Sequence, residues 1–472
     1  MASPFSRLMI AGTGGDAGKT LLCLGLLATW RREGQELRAF KKGPDFIDAA
    51  WLGWASGAPG RNLDTYMMAP EVAHGSFCRH GAAEGLNIIE GNRGLLDGVD
   101  ATGTHSSASL ARLLDCPVIL VVSPVKVTAT AAAAVLGCRQ LAPGVRIAGV
   151  VLNRVRGERH ERVVREAIEQ RAGVPVLGVL PPLEGPGLPS RHLGLVPPAE
   201  HGPAERLRTD LERLVAANLD RERLLSIARA AAPLMGPPEP PAEKEAEGPK
   251  VRIGYFRDSA FTFYYPENLE ALEASGATLV TVSALADREL PVMDALYIGG
   301  GFPETHAERL AGNSSLLQGV RRAAAAGLPI YAECGGLMVL AESLEWRGKI
   351  VPMAGALPIR VRMHDRPQGH GYSQIIVDAP NPFLPVGTVL KGHEFHYSSI
   401  IEEAPELRTA FAVVKGQGSF HNRDGVLRNN VLASYLHVHA LGAPEWAKGM
   451  VEAARRHRDR GGQGGPDRPQ AA

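Results

Sequence analysis

The sequence predicts an α/β protein of two domains, and three observations carry that reading. Short apolar runs alternate with helical stretches from Leu8 to about Leu180, a proline-rich charged stretch interrupts the chain near Pro240, and a second alternation begins at Val251. At 472 residues the chain is too long for one core, since domains average roughly 100–200 residues.

In the first series a strand at Leu8-Met9-Ile10-Ala11 leads through a glycine loop into a helix from Lys19 to Arg32, with Leu21, Leu24 and Ala28 on one face. Further apolar runs at 37–40, 86–90, 117–123, 147–153 and 174–180 read as strands of a parallel sheet covered by helices. Residues 233–250, rich in proline, glutamate and lysine, cannot bury a core and read as a linker between a domain at 1–232 and one at 251–458. The second series has strands at 251–256, 278–282, 295–299, 329–333 and 431–435, with helices at 267–275 and 338–344. The tail at 459–472 is expected to be disordered, and no internal repeat is visible.

Lys plus Arg number 51 against 50 Asp plus Glu, so the balance points to small-molecule partners, with no nucleic acid and no membrane. Five cysteines without a CxxC pair suit a reduced, cytoplasmic protein. No apolar signal core or bilayer-spanning run is present, so a soluble chain is expected.

The first chemical motif is Gly12-Thr13-Gly14-Gly15-Asp16-Ala17-Gly18-Lys19-Thr20, set between a strand and a helix. Loop amides and the helix N-terminus would face the phosphates of ATP, Lys19 would counter β/γ charge, and the Thr20 hydroxyl would ligate Mg2+. Thr13 stands where the strict phosphate-loop pattern has its first glycine, and loops of this spacing resemble the dethiobiotin synthetase-like branch of phosphate-loop ATPases. The bland alternative, a chance glycine turn, is opposed by strand, Lys-Thr and helix together.

Two charged stretches follow the next strands, Lys41-Lys42-Gly43-Pro44-Asp45-Phe46-Ile47-Asp48 and Glu90-Gly91-Asn92-Arg93-Gly94-Leu95-Leu96-Asp97. In an open α/β sheet, strand C-terminal ends are where ligands bind. Glu90 or Asp45 would hold magnesium with Thr20, while Lys41 and Lys42 would neutralise a phosphoryl group or a substrate carboxylate. The alternative is that these charges form surface salt bridges and turns.

The second chemical motif is Glu333-Cys334-Gly335-Gly336, a tight turn between strand and helix. Such a turn exposes a nucleophile, and the helix N-terminus is expected to lower the thiol pKa. Amides of Gly335 and of Gly301, in Gly299-Gly300-Gly301-Phe302-Pro303-Glu304, would receive an oxyanion. His437 would be the base. Cys23, Cys78, Cys116 and Cys138 read as apolar filler, and His393 and His396 as structural or substrate-positioning residues rather than metal ligands. An ATP site and an acyl-breaking thiol on one chain point to amidation fed by glutamine.

These motifs, with Arg61-Asn62-Leu63-Asp64, Gly392-His393-Glu394-Phe395-His396-Tyr397-Ser398 and Ser434-Tyr435-Leu436-His437-Val438-His439, run in order over nearly the whole chain and resemble the cobyrinic acid a,c-diamide synthase family. The resemblance implies a phosphate-loop synthetase domain at 1–232 joined to a class I glutamine amidotransferase domain at 251–458. It implies amidation of acetate side chains on a tetrapyrrole polycarboxylate, with ATP and L-glutamine as co-substrates and an acyl phosphate as intermediate. Carried onto matching positions, Asp45, Asp48, Glu90 and Asp97 serve metal or substrate activation, Asn153 resembles an adenine reader, and Arg61, Arg93 and Lys126 meet substrate carboxylates. Class I amidotransferases often follow the histidine with Pro-Glu, but this chain has Val438-His439. Either His439 substitutes or the dyad acts without a carboxylate partner. The stretches around Asp16, Asn92-Arg93 and 101–107 are more like relatives that amidate sirohaem, so the macrocycle is left open between cobyrinate, hydrogenobyrinate and sirohaem. The rivals are a partitioning or regulatory ATPase that forms no covalent product, and a silent tetrapyrrole-binding module. Homodimerisation is a further expectation.

Overall fold

The run Ser6-Arg7-Leu8-Met9-Ile10-Ala11-Gly12 is buried at all but its first residue, as a central strand covered on both faces must be, and forms β1 (Ser6–Gly12). The structure, a computed structural model, describes residues 2–182, 190–191, 194–200, 204–236, 249–405 and 407–462. It divides into two units, Met1–Ala242 and Glu243–Ala472. Most of the expected linker, 237–248, lies outside the described residues, as does the tail from 463.

In the first unit β1 is followed by α1 (Lys19–Arg32), β2 (Leu37–Lys42), α2 (Phe46–Ser56), β3 (Arg61–Leu63), α3 (Pro70–His80), β4 (Leu86–Gly94), α4 (Ser107–Leu113), β5 (Val118–Val122), α5 (Thr130–Leu141), β6 (Ile147–Asn153), α6 (Glu158–Ala167), β7 (Val176–Leu180), α7 (Ala204–Asn218) and α8 (Arg221–Arg229). The seven strands form one sheet in the order β3-β2-β4-β1-β5-β6-β7, and each neighbouring pair is parallel. The expected strands are all there, and the Arg61-Asn62-Leu63 stretch adds a short edge strand on β2. With every strand parallel, the C-terminal ends of β1, β2 and β4 meet along one edge, which gathers Lys19 at the start of α1, Lys41 near the end of β2 and Glu90 in β4. Arg7, fully buried, ties this sheet down: its guanidinium donates to the carbonyl oxygens of Leu114 (2.7 Å), Phe5 (3.1 Å), Asp115 (3.0 Å) and Ala232 (2.8 Å).

The second unit contains β8 (Val251–Phe256), α9 (Pro266–Ala274), β9 (Ala277–Val282), β10 (Ala295–Ile298), α10 (Ala307–Gly312), α11 (Ser314–Ala325), β11 (Ile330–Glu333), α12 (Gly335–Leu340), β12 (Ser343–Trp346), β13 (Lys349–Pro352), β14 (Ile359–Met363), β15 (Gly369–Val377), β16 (Val389–His396), β17 (Ser398–Glu403), β18 (Arg408–Lys415), β19 (Arg423–Arg428), β20 (Val431–Ser434) and α13 (Pro444–Gly462). A nine-stranded sheet has the order β9-β8-β10-β11-β20-β19-β18-β15-β16. Its first five strands are parallel and the rest antiparallel. β13, β12, β14 and β17 form a separate four-stranded sheet.

Two sequence expectations change here. The helix expected at 338–344 instead spans Gly335–Leu340, and Ser343 already belongs to β12. The hairpin turn at Arg347 (φ 51°) and Gly348 (φ 74°) pairs Ser343–Trp346 with Lys349–Pro352, and that pairing claims the residues. At the other end α13 continues through Gly462, beyond the point where the disordered tail was expected to begin. Trp446, Ala447, Met450, Val451, Ala453 and Ala454 bury one side of this helix.

Candidate active sites

The first site lies where β1 turns into α1. Gly18 caps the helix at φ 100°, and a Cβ there would fall 2.0 Å from Asn153 Nδ2, so both the conformation and the space require glycine. Asn153, at the end of β6, donates from Nδ2 to the Ala17 carbonyl at 2.8 Å and is buried. Its amide thus braces the loop, a contact that the sequence did not announce. Lys19 Nζ lies over the loop and donates to Gly14 O at 3.1 Å.

Behind the loop stands a compact charge cluster. Thr20 Oγ1 donates to Glu90 Oε1 at 2.7 Å, and Lys41 Nζ bridges Glu90 Oε1 (2.9 Å) and Asp48 Oδ2 (2.5 Å). Lys41 is therefore already committed to two carboxylates, because a buried ammonium needs counter-charge. The neighbouring Asp48 and Glu90 charges outweigh desolvation and hold it well above the ordinary lysine range. Desolvation raises the Glu90 carboxyl, although Lys41 opposes it. Asp45 caps α2 by accepting from Asp48 N at 2.8 Å, and burial with the Asp48 charge beside it pushes its carboxyl up to about 7. Thus Thr20, Asp45, Asp48 and Glu90 come together as expected. Glu90 Oε2 is buried without a hydrogen-bond partner. Among the described residues no three carboxylates are arranged to hold a metal by themselves, but this unmatched oxygen beside the Thr20 hydroxyl suits an ion such as magnesium, which binds through one or two protein oxygens and keeps the rest for phosphates and water.

Asp97 does not join this cluster. It is exposed, and its Oδ2 accepts from Gly94 N at 2.8 Å, closing its own turn. The local reason is chain reversal after β4, which leaves a backbone N–H to be satisfied. Lys42 is buried, and desolvation pulls it below the ordinary lysine range against the pull of Asp64. Arg61 is half-buried on β3, while Arg93 (φ 46°) and Lys126 (φ 60°) are exposed.

The second site is built around the end of β11. Cys334 leaves the strand at φ 49°, ψ −100°, a left-handed conformation that costs a non-glycine residue about 1–3 kcal/mol. The fold sustains it through Cys334 N donating to Ser434 O at 2.8 Å and Met338 N donating to Cys334 O at 3.1 Å. A Cβ at Gly335 would stand 3.1 Å from Gly301 N, so the two expected oxyanion amides belong to adjoining backbones. At Gly300 a Cβ would stand 2.7 Å from His437 Cε1 and 3.4 Å from Nε2, which places the imidazole against the same glycine loop.

The thiol differs from expectation. Burial pushes Cys334 up to about 12, with the Glu304 carboxylate adding to the rise. α12 has six residues and its whole first turn is buried, so desolvation exceeds any helix-end stabilisation of a thiolate. Burial thus favours the neutral thiol, and attack calls for a base.

His437 is fixed by a backbone exchange with β16, donating to His393 O (2.8 Å) and accepting from His393 N (3.3 Å). Their rings stack at 5.0 Å, and burial beside His437 lowers His393 well below the ordinary histidine range, keeping it neutral. Approach to His437 is shaped by buried Asp424, which accepts from Ser434 Oγ (2.8 Å), Tyr435 N (3.2 Å) and Leu436 N (3.3 Å). On the far side, His437 Nδ1 lies 3.2 Å from Glu333 Oε2. His439 instead faces Glu267 at 3.7 Å and packs on Tyr265. Neither expected alternative, His439 or an unaccompanied dyad, describes this geometry. Asp424 and Glu333 were missed: Asp424 has no sequence signal, and Glu333 stood inside the quoted motif but read as strand. His396 serves structure, bonding Ser398 O at 2.7 Å and stacking on Tyr435 at 3.7 Å.

Comparison with known proteins matches residues 8–194 to the CobQ/CobB/MinD/ParA nucleotide binding domain and residues 252–445 to the CobB/CobQ-like glutamine amidotransferase domain. Among solved structures, PurLQS from Thermotoga maritima aligns over 44% of this chain and 99% of its own at 18% identity and a TM-score of 0.35. The cobyrinate a,c-diamide synthase of Magnetococcus marinus is 43% identical over 96% of this chain and 98% of its own length. That of Archaeoglobus fulgidus is 41% identical over 95% and 97%, and that of Salmonella typhimurium 37% over 97% and 100%. With both domains matched and full-length relatives this similar, the chain belongs to the cobyrinate a,c-diamide synthase family.

Proposed function

We propose that this ligase amidates the a and c acetate carboxylates of cobyrinate or hydrogenobyrinate, with ATP activating each carboxylate and glutamine supplying nitrogen. The observation that carries the reading is the pairing, on one chain, of the Thr20–Glu90–Lys41 cluster behind a phosphate loop with a thiol elbow that adjoins the glycine loop on which His437 rests. A partitioning ATPase has no use for the second site. In this reading residues 1–232 form the synthetase domain, 251–458 the glutaminase, and 233–250 the linker.

At the first site the γ-phosphoryl group passes from ATP to a substrate carboxylate oxygen, leaving ADP and an acyl phosphate. Ammonia then attacks the carbonyl carbon and phosphate departs. Loop amides from Gly12 to Gly18 and Lys19 hold the phosphates. Thr20 and Glu90, backed by Asp48 and Asp45, would hold magnesium, which supplies charge neutralisation of the phosphates when bound. Lys42, Arg61, Arg93 and Lys126 supply cations for the macrocycle carboxylates. Asp97 acts by shaping the loop after β4. At the second site Cys334 Sγ attacks the glutamine side-chain carbonyl as His437 takes its proton. The C–N bond breaks, ammonia leaves with that proton, and water hydrolyses the thioester to glutamate and free thiol. Gly301 and Gly335 amides receive the oxyanion.

Incubation with ATP, magnesium, glutamine and each of cobyrinate, hydrogenobyrinate and sirohaem, read by product mass, tests the substrate. A diamide from cobyrinate or hydrogenobyrinate is expected. Amidation of sirohaem alone would reassign the macrocycle, and no amide from any of them would overturn the reading.

Glu90→Gln should lower amidation by about two or more orders of magnitude with a smaller change in ATP affinity. Stability should change little, since burial already disfavours the Glu90 charge and Asp48 still pairs Lys41. A variant with a depressed melting temperature but near-normal turnover per folded molecule would reduce Glu90 to a structural residue.

A further inference from the structure

We infer that Glu333, the residue immediately before the nucleophile, is the carboxylate of a Cys334–His437–Glu333 relay, a positioning residue that acts through His437. The inference rests on the glutaminase reading above and deepens it. Glu333 is 1% exposed, and its Oε2 lies 3.2 Å from His437 Nδ1. The same oxygen accepts from Tyr297 Oη at 3.3 Å, and Oε1 accepts from Val438 N at 3.3 Å. A carboxylate surrounded by donors on both oxygens is an acceptor, so the hydrogen between it and the imidazole belongs to Nδ1. That tautomer leaves the lone pair on Nε2, the nitrogen turned toward Gly300 and the glycine loop that adjoins the Cys334 turn.

The backbone explains how neighbours in sequence serve one imidazole. In a strand, residues 333 and 334 would point to opposite faces. The positive φ at Cys334 breaks that alternation at the last residue, so Glu333 keeps its strand direction while Cys334 is re-aimed. The carboxylate that class I enzymes commonly place after the histidine is thereby supplied from the nucleophile's own strand, and His439, which stands near that place in sequence, is engaged with Glu267. During attack the proton moves from Sγ to Nε2 and later to departing ammonia, while Glu333 exchanges no proton and stabilises the imidazolium formed between those steps.

The experiment compares wild type, Cys334→Ala, Glu333→Gln and Glu333→Asp in the full chain, measuring glutamine hydrolysis, KM for glutamine and the 1H–15N signals of His437. Glu333→Gln should lower kcat by about 10²–10⁴, with KM changed only a few-fold, because an amide cannot fix the tautomer as a carboxylate does. Glu333→Asp should recover part of the loss. In the wild type alone, His437 should show a downfield Nδ1–H proton, a signal that requires no variant to fold. Wild-type levels of kcat in folded Glu333→Gln, or an Nε2–H tautomer in the wild type, would overturn the relay while leaving the glutaminase assignment intact. Absence of Cys334-dependent hydrolysis in the wild type would instead sink the glutaminase reading.

Discussion

Replacing Cys334 with alanine should abolish glutamine-dependent amidation, by about three or more orders of magnitude, and leave ammonia-dependent amidation near the wild-type rate. In the proposed mechanism only the thioester step needs sulfur, and the substrate carboxylate is activated among residues of the first unit. The substitution also keeps the Cβ at the strained φ of 49°, so the elbow retains its backbone hydrogen bonds to Ser434 and Met338. A low stability cost is therefore expected, and a melting curve run beside the assay verifies it. If the folded variant fails with ammonium salts as well, the thiol is doing something other than releasing ammonia. If it still hydrolyses glutamine, the nucleophile has been misassigned.

Lys19→Ala should remove amidation with either nitrogen source, lowering turnover by about 10²–10³. Its ammonium is the cation lying directly over the loop, 3.1 Å from Gly14 O. Lys41 cannot replace it, since its own charge is held between Asp48 and Glu90. Desolvation already pulls Lys19 below the ordinary lysine range, so deleting the side chain relieves a buried charge and should not lower stability. Cys334-dependent glutamine hydrolysis should persist at a basal rate. Unchanged product formation from ATP would place the nucleotide elsewhere.

The parallel sheet of the first unit and the parallel half of the nine-stranded sheet were legible in the sequence because buried strands read as continuous apolar runs, and the glycine loop and cysteine turn because their backbones demand unusual residues. The antiparallel strands from Gly369 to Arg428 were not foreseen; their polar and apolar residues mix on half-exposed faces, as in β18, and long pairings such as β15 with β18 leave no local mark. The sites divide the same way. Lys19, Thr20 and Cys334 announce themselves by local spacing, whereas the double pairing of Lys41 and the bracing role of Asn153, 136 residues from its acceptor, depend on which strands the topology sets side by side. The expected fall in thiol pKa failed because motif reasoning sees the helix end but not the desolvation around it.

That protonated thiol has a bearing on oxidative chemistry. Peroxides and alkylating reagents attack thiolates, and the ladder from sulfenic to sulfonic acid begins only where one is present and accessible. Cys334, neutral at rest and 6% exposed, should therefore be a slow target. Redox insensitivity, ordinarily achieved by removing cysteines, would here follow from withholding the anion until an acyl group is in place to receive it.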